Sequence, residues 1–126
     1  MKVLVTGSRT WDNKAAIERE FKKLPPGPTT IIVHGACPTG ADALADAAAM
    51  KFGFQIRRFP AQWETEGRKA GPVRNSKMIR EEHSDRDGIP ITLGLAFTPD
   101  LERSRGTRDC VLKARKAGIK VEIIST

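Results

Sequence analysis

Lys2-Val3-Leu4-Val5-Thr6-Gly7-Ser8-Arg9-Thr10-Trp11 is the stretch that decides the fold. Residues 2–6 form a β-branched apolar run, too short for a helix and uninterrupted by polar alternation, which reads as a strand buried on both faces. Gly7, where the run stops, lets the backbone turn sharply or approach a ligand closely. Ser8 and Thr10 add hydroxyls, Arg9 adds a planar fork of donors suited to phosphate or carboxylate, and Asp12 is placed to cap a following helix. Taken alone, the loop reads equally as an ordinary βα turn with a solvated Arg9 and as an anion site.

The same grammar recurs down the chain. Ile17, Phe21 and Leu24 fall at helical spacing with Lys14, Glu18, Arg19, Lys22 and Lys23 on the wet face. Pro25-Pro26-Gly27-Pro28 stops that helix. Residues 30–34 are a second strand ending at Gly35, and the loop Gly35-Ala36-Cys37-Pro38-Thr39-Gly40-Ala41-Asp42 leads into a helix with Ala41, Leu44, Ala45, Ala48 and Phe52 on one side. Gly53 closes it, and residues 54–59 form a third strand that Pro60 ends. Residues 61–75 lack sustained periodicity yet contain Trp63, Gly67, Gly71, Arg68, Lys69, Arg74 and Asn75, a composition typical of functional loops. Pro72 suits the first turn of a helix through Met78 and Ile79. Residues 80–88 read as a polar, mobile connection without chemistry. Residues 91–97 are a fourth strand, the loop 98–104 leads to a helix bearing Val111, Leu112, Ala114 and Ala117, Gly118 caps it, and residues 119–124 are the last strand.

Five strands alternating with four helices predict a single α/β domain over residues 1–126, a doubly wound Rossmann-like parallel sheet. With strand order 3-2-1-4-5, the order reverses between the first and fourth strands, where ligands of such sheets bind. Gly7–Trp11 then faces residues 104–108, with residues 35–42 alongside. Three helix N-termini, those after strands one, two and four, converge with their free amides and partial positive charge, an arrangement suited to a phosphate-bearing ligand.

Composition sets the outer limits. A chain of 126 residues with ordinary apolar content builds one core, and no apolar run approaches the ~18 residues of a membrane span. Starting directly on a strand without a signal pattern, the chain is expected in the cytosol. Two cysteines, Cys37 and Cys110, are too few for a disulfide framework and are expected as buried, inert thiols. The formal charge of +7 favours anionic partners, and it is spread over both halves of the chain without a basic tail.

Each candidate carries a plain reading beside a functional one. Asp42 stabilises a helix N-terminus or takes a ribose hydroxyl. Trp63 plugs the edge of the core or stacks a base. Arg74 and Asn75, beside Gly71-Pro72, lean toward function over a solvated face. His34 reads as a hydrogen-bonded strand-end residue.

Together, Gly7-Ser8-Arg9 with Trp11, His34-Gly35 with Gly40-Ala41-Asp42, Trp63, Ala70-Gly71-Pro72, Arg74-Asn75, Met78 and Ser104-Arg105-Gly106-Thr107 resemble the YspA/YpsA-related branch of the SLOG superfamily, over nearly the whole chain. The resemblance implies a Rossmann-like domain for nucleotides or nucleotide-derived ligands, lined by the glycine loops and Arg74. The related LOG-type phosphoribohydrolases carry a Glu three residues after a Gly-Thr pair. Here Cys110 holds that position, and Asp109, one residue earlier, is expected to point elsewhere on a helix. Arg74-Asn75 also stands where those enzymes carry Arg-Lys.

The expected function is therefore binding of a nucleotide-derived small molecule, as a sensor or sequestering module, without a cofactor or metal. Its expected site comprises Gly7, Ser8, Arg9, Trp11, Gly35, Gly40, Asp42, Trp63, Arg74, Asn75, Arg105, Gly106 and Thr107. The alternatives are hydrolysis of an N-glycosidic or related nucleotide bond, with Asp42 or Asp109 as the acid, and single-stranded DNA binding of the kind found in DprA-like relatives. Nucleic acid is the less favoured partner, no membrane is expected, and a homo-oligomer is compatible with the sequence.

Overall fold

A computed structural model describes the backbone of residues 1–126 and the side chains of all but residues 84 and 85. The described residues form five strands, β1 (Lys2–Gly7), β2 (Ile31–His34), β3 (Gln55–Arg58), β4 (Leu93–Phe97) and β5 (Val121–Ile124). They make one all-parallel sheet in the order β3-β2-β1-β4-β5, as the sequence predicts. β1 is the central strand, with Val5 beside His34 on one side and Leu95 on the other.

Side chains alternate across the sheet, so the continuous apolar runs feed two cores. Val3, Val5, Ile32, Leu95 and Phe97 pack against α1 (Lys14–Phe21) and α2 (Gly40–Lys51). Leu4, Val33 and Ala96 pack on the opposite face against α4 (Ala70–Arg80) and α5 (Arg105–Lys116). A single-turn helix, α3 (Trp63–Glu66), and a tighter turn at Gly67–Lys69 occupy part of the stretch read as irregular, making five helices where the spacing predicts four. Pro72 does fall in the first turn of α4.

Several local readings change. Asn13, not Asp12, caps α1: its side chain accepts from the Ala16 amide at 3.1 Å, while Asp12 is exposed one residue too early. Leu112 lies on the solvent side of α5, 57% exposed, whereas Val111 and Ala114 are buried. The connection after residue 80 is no loose polar loop. α4 runs on into a wider π-type turn, Glu81–Asp85, which carries Glu82 beneath the sheet edge. There Lys2, fully buried, donates to the Glu82 carbonyl at 2.8 Å and lies 3.1 Å from its carboxylate and 3.0 Å from Asp87. Arg57 joins both carboxylates, at 2.5 and 2.8 Å, and Arg86 reaches Glu82 at 2.7 Å. Burial raises the Glu82 carboxyl, but hydrogen bonds from Arg57, Arg86 and Lys2 outweigh it and leave it below the usual glutamate range. Asp87 is likewise held below the usual aspartate range, by the Ile89 amide, Arg57 and Lys2. These long-range pairs tie β1, β3 and the end of α4 together.

Among the described residues no helix is long and apolar enough to cross a membrane.

Candidate functional site

The order reversal between β1 and β4 opens a cleft of about 960 Å³ above the carboxyl ends of the strands, near the top of the range of ~300–1,000 Å³ usual for small-molecule sites. Its first wall is the loop after β1. The Ser8 amide continues the ladder onto the Phe97 carbonyl at 2.9 Å, and the Ser8 carbonyl accepts from Trp11 and Ala41 at 3.2 and 3.0 Å. Thr39 donates its hydroxyl to the Arg9 carbonyl at 3.0 Å. The start of α2 thus rests directly on this loop. Gly40 makes that approach feasible: its φ is +72°, and a Cβ there would run into the Ser8 carbonyl and the Arg9 backbone.

The second wall follows β2. Ala36 sits in the left-handed region at φ 57°, unusual for a residue with a Cβ, and its amide donates to His34 Nδ1 at 2.9 Å. An accepting Nδ1 leaves the ring proton on Nε2, which donates to Asp46 at 2.7 Å. Arg58 clamps the same carboxylate at 2.6 and 3.1 Å. His34 is therefore a hydrogen-bonded strand-end residue that shapes the loop without entering the cleft. Asp42 does enter it. Only 7% exposed, it accepts from the Cys37 amide at 3.2 Å. Burial pushes its carboxyl up, and the opposing pull of the Cys37 and Gly35 amides and of Arg74 does not cancel the rise.

The third wall is built by Arg74 and Asn75 on α4. Arg74 donates through Nη1 to the carbonyls of Gly35 and, at 3.2 Å, Phe59, and through Nε to Asn75 Oδ1 at 2.8 Å. A Cβ on Gly35 would fall inside the guanidinium, so any side chain there would push Arg74 aside. Asn75 in turn donates to the Gly106 carbonyl at 3.2 Å and to Asp109 at 3.0 Å. The pair staples the loops after β2, β3 and β4 to one another. Both residues line the cleft, with much of their hydrogen-bonding capacity spent on the protein itself.

The loop after β4 closes the fourth side. Ser104 shares a 2.7 Å hydroxyl bond with Thr98 and leaves the first turn of α5 without a side-chain cap. Gly106 faces open space. α2 likewise lacks a side-chain cap, but its Ala41 amide is taken by the Ser8 carbonyl, so the first-turn amides at the cleft are those of Gly106 and Thr107 on α5. α1, capped by Asn13, supplies no lining residue; the other helix starts at the cleft belong to the single-turn α3, at Trp63, and to α4. That outcome corrects the trio predicted from the strand order, because the loop after β1 runs past the cleft before α1 begins.

Eleven of the expected residues line the cleft: Gly7, Ser8, Arg9, Gly35, Asp42, Trp63, Arg74, Asn75, Arg105, Gly106 and Thr107. Trp11 and Gly40 do not. Trp11 is buried against Phe97, ring centroids 5.7 Å apart, with its indole N–H on the Asn13 carbonyl at 3.0 Å. Asp109 lines the cleft and points differently from position 110, as its place on the helix implies; it is held by Asn75 and, at 2.9 Å, by Lys113. Cys110 instead faces the core, its thiol pushed up to about 12 by burial. Cys37 is half-buried and lines the cleft, so only one of the two thiols is enclosed. Arg68 and Arg103 also line it; their signal in the sequence was only their place in irregular stretches. Ala36 left no signal, since nothing in an alanine announces a positive φ.

The electrostatics are lopsided. Five arginines, Arg9, Arg68, Arg74, Arg103 and Arg105, surround two carboxylates, Asp42 and Asp109. Among the described residues neither Arg68 nor Arg105 has a carboxylate partner. Trp63, 47% exposed at the rim, carries the Arg9 guanidinium 5.2 Å from its ring centroid. No three His, Cys, Asp or Glu side chains among the described residues converge as metal ligands would. The arrangement presents positive charge, uncapped helix amides, a flat aromatic face and one buried carboxylate to a single ligand-sized space.

Residues 1–65 match the model of the YspA, cpYpsA-related SLOG family. Over 129 aligned positions, 95% of this chain and 93% of the other, the chain is 39% identical to the Gene 61 protein of Mycobacterium phage D29.

Proposed function

Because the chain belongs to the YspA, cpYpsA-related SLOG family, we propose that the cleft binds a nucleotide or nucleotide-derived anion as a sensing or sequestering module. The observation that carries this reading is the gathering of arginines from four separate segments around uncapped helix starts and the buried Asp42. Arg9, Arg105 and the amides of Gly106 and Thr107 would hold phosphate. Asp42 would accept from a ribose hydroxyl, and Trp63 would stack a base. Isothermal titration of the purified protein with nucleoside mono-, di- and triphosphates tests it. Saturable binding that Arg105→Ala weakens about tenfold or more, the loss of one charge-assisted contact, supports the reading; no heat with any nucleotide contradicts it.

Two observations favour a second reading, hydrolysis of an N-glycosidic or related nucleotide bond. Asp42 has a raised pKa inside the cleft, and Asp109 faces the same space. Free base released from a nucleotide panel, and abolished by Asp42→Asn or Asp109→Asn, would establish an enzyme. Intact nucleotides after prolonged incubation would leave the binder.

A further inference from the structure

We infer that Arg9 and Trp63 form a clasp that makes the cleft selective for ligands carrying an aromatic ring and an anion together. The inference rests on the nucleotide reading above and adds how the site discriminates. Arg9 leaves the loop after β1 and lies over the ring of Trp63, which begins α3 on the far side of the cleft mouth, with Cζ 5.2 Å from the ring centroid. Both side chains line the cleft and both are exposed at its rim. No carboxylate among the described residues claims Arg9, so the indole face is its partner in the free protein. At its far edge the indole lies beside Gly71, where an added Cβ would be 3.4 Å from it, so α4 backs that edge of the ring.

The two groups that suit base and phosphate are therefore occupied with each other. A planar ring reaches the Trp63 face that Arg9 covers only by displacing Arg9, and the displaced guanidinium loses its cation–π partner. A ligand that also brings a phosphate supplies Arg9 with a stronger, charge-assisted partner. A nucleoside displaces the arginine and gives nothing back. Inorganic phosphate recruits the arginine and leaves the indole uncovered. Only a ligand with both parts satisfies both halves of the clasp.

Opposite signs in one variant provide the test. In Arg9→Ala the indole is uncovered from the outset, so adenosine binds roughly two- to five-fold more tightly than to the native protein, the equilibrium equivalent of an exposed cation–π contact. Adenosine monophosphate binds more weakly to the same variant. Trp63→Leu weakens both ligands. The clasp is overturned if adenosine binds Arg9→Ala no better than native protein while the monophosphate still binds native protein. Failure of the monophosphate to bind native protein overturns the nucleotide reading and the clasp with it. Arg9 is an exposed loop side chain, so its removal leaves the fold intact.

Discussion

Asp42 is the residue where stability and site chemistry conflict. A carboxylate this buried loses hydration, and its folded pKa lies above the ordinary value of 3.8. Its protonated form is favoured by folding, so its contribution is most stabilising below about pH 4 and is lost as pH rises through the elevated folded value. Asp42→Asn retains an acceptor for the Cys37 amide and removes the charge. The variant is therefore expected to be more stable than the native protein at pH 7, with the difference closing toward pH 4, as read by urea denaturation across that range. A native protein more stable than the variant at pH 7 would mean that the surrounding donors do compensate the charge. Ala36 stores strain at the neighbouring position. Its left-handed backbone is costly for a side chain with a Cβ and is held by the His34 bond. Such strain beside a cleft is a common mark of a positioned loop.

At the scale of elements, one set of contacts holds the cleft walls and a second ties the sheet away from the cleft. The first is the staple of Arg74 and Asn75. Gly35→Ala puts a methyl group where the guanidinium crosses, and pushing Arg74 off the Gly35 and Phe59 carbonyls is expected to cost ~1–3 kcal/mol in denaturation, the loss of charge-assisted hydrogen bonds. It is also expected to weaken any cleft ligand more than a surface change of similar size. The second is the ionic tie of Lys2, Arg57, Glu82, Arg86 and Asp87. Such a buried network is weak evidence for net stability, but breaking it is costly. Glu82→Ala leaves Lys2 and Arg57 short of a carboxylate and is expected to destabilise by ~3–5 kcal/mol. Both carboxyls have folded pKa values below the ordinary 4.5 and 3.8. Their stabilisation is present above about pH 4.5 and fades as pH falls, so the native protein is expected to lose stability on acidification through pH 4. Circular dichroism melts over pH 3–7 would check this, and Glu82→Gln would flatten the slope.

For the molecule as a whole, the sheet was legible because buried parallel strands write themselves as short apolar runs. Strand order followed from connection rules that leave few arrangements for five such strands. Most of the cleft was legible too, since the loops that end those strands must share one edge. What sequence did not reveal depends on three-dimensional pairing. Lys2 and Glu82 are 80 positions apart, and nothing local marks a lysine at a strand start as fully buried. Trp11 reads as a site residue from its place in the Gly7–Trp11 loop and in the family pattern, yet the turn at Ser8 directs it into the core. Cys110 is buried as expected, while Asp109, one position earlier on α5, lines the cleft, a placement set by how the helix packs on the sheet.

The central claim is that this edge of the sheet receives a phosphate-bearing nucleotide ligand. The most direct measurement is an amide ¹H–¹⁵N correlation spectrum recorded while adenosine monophosphate is titrated into the isotope-labelled protein. Progressive, saturable shifts at Ser8, Arg9, Gly106 and Thr107, with the indole signal of Trp63 moving and that of Trp11 still, are the predicted result. An unchanged spectrum at millimolar nucleotide, or shifts confined to residues away from the cleft, would contradict the account.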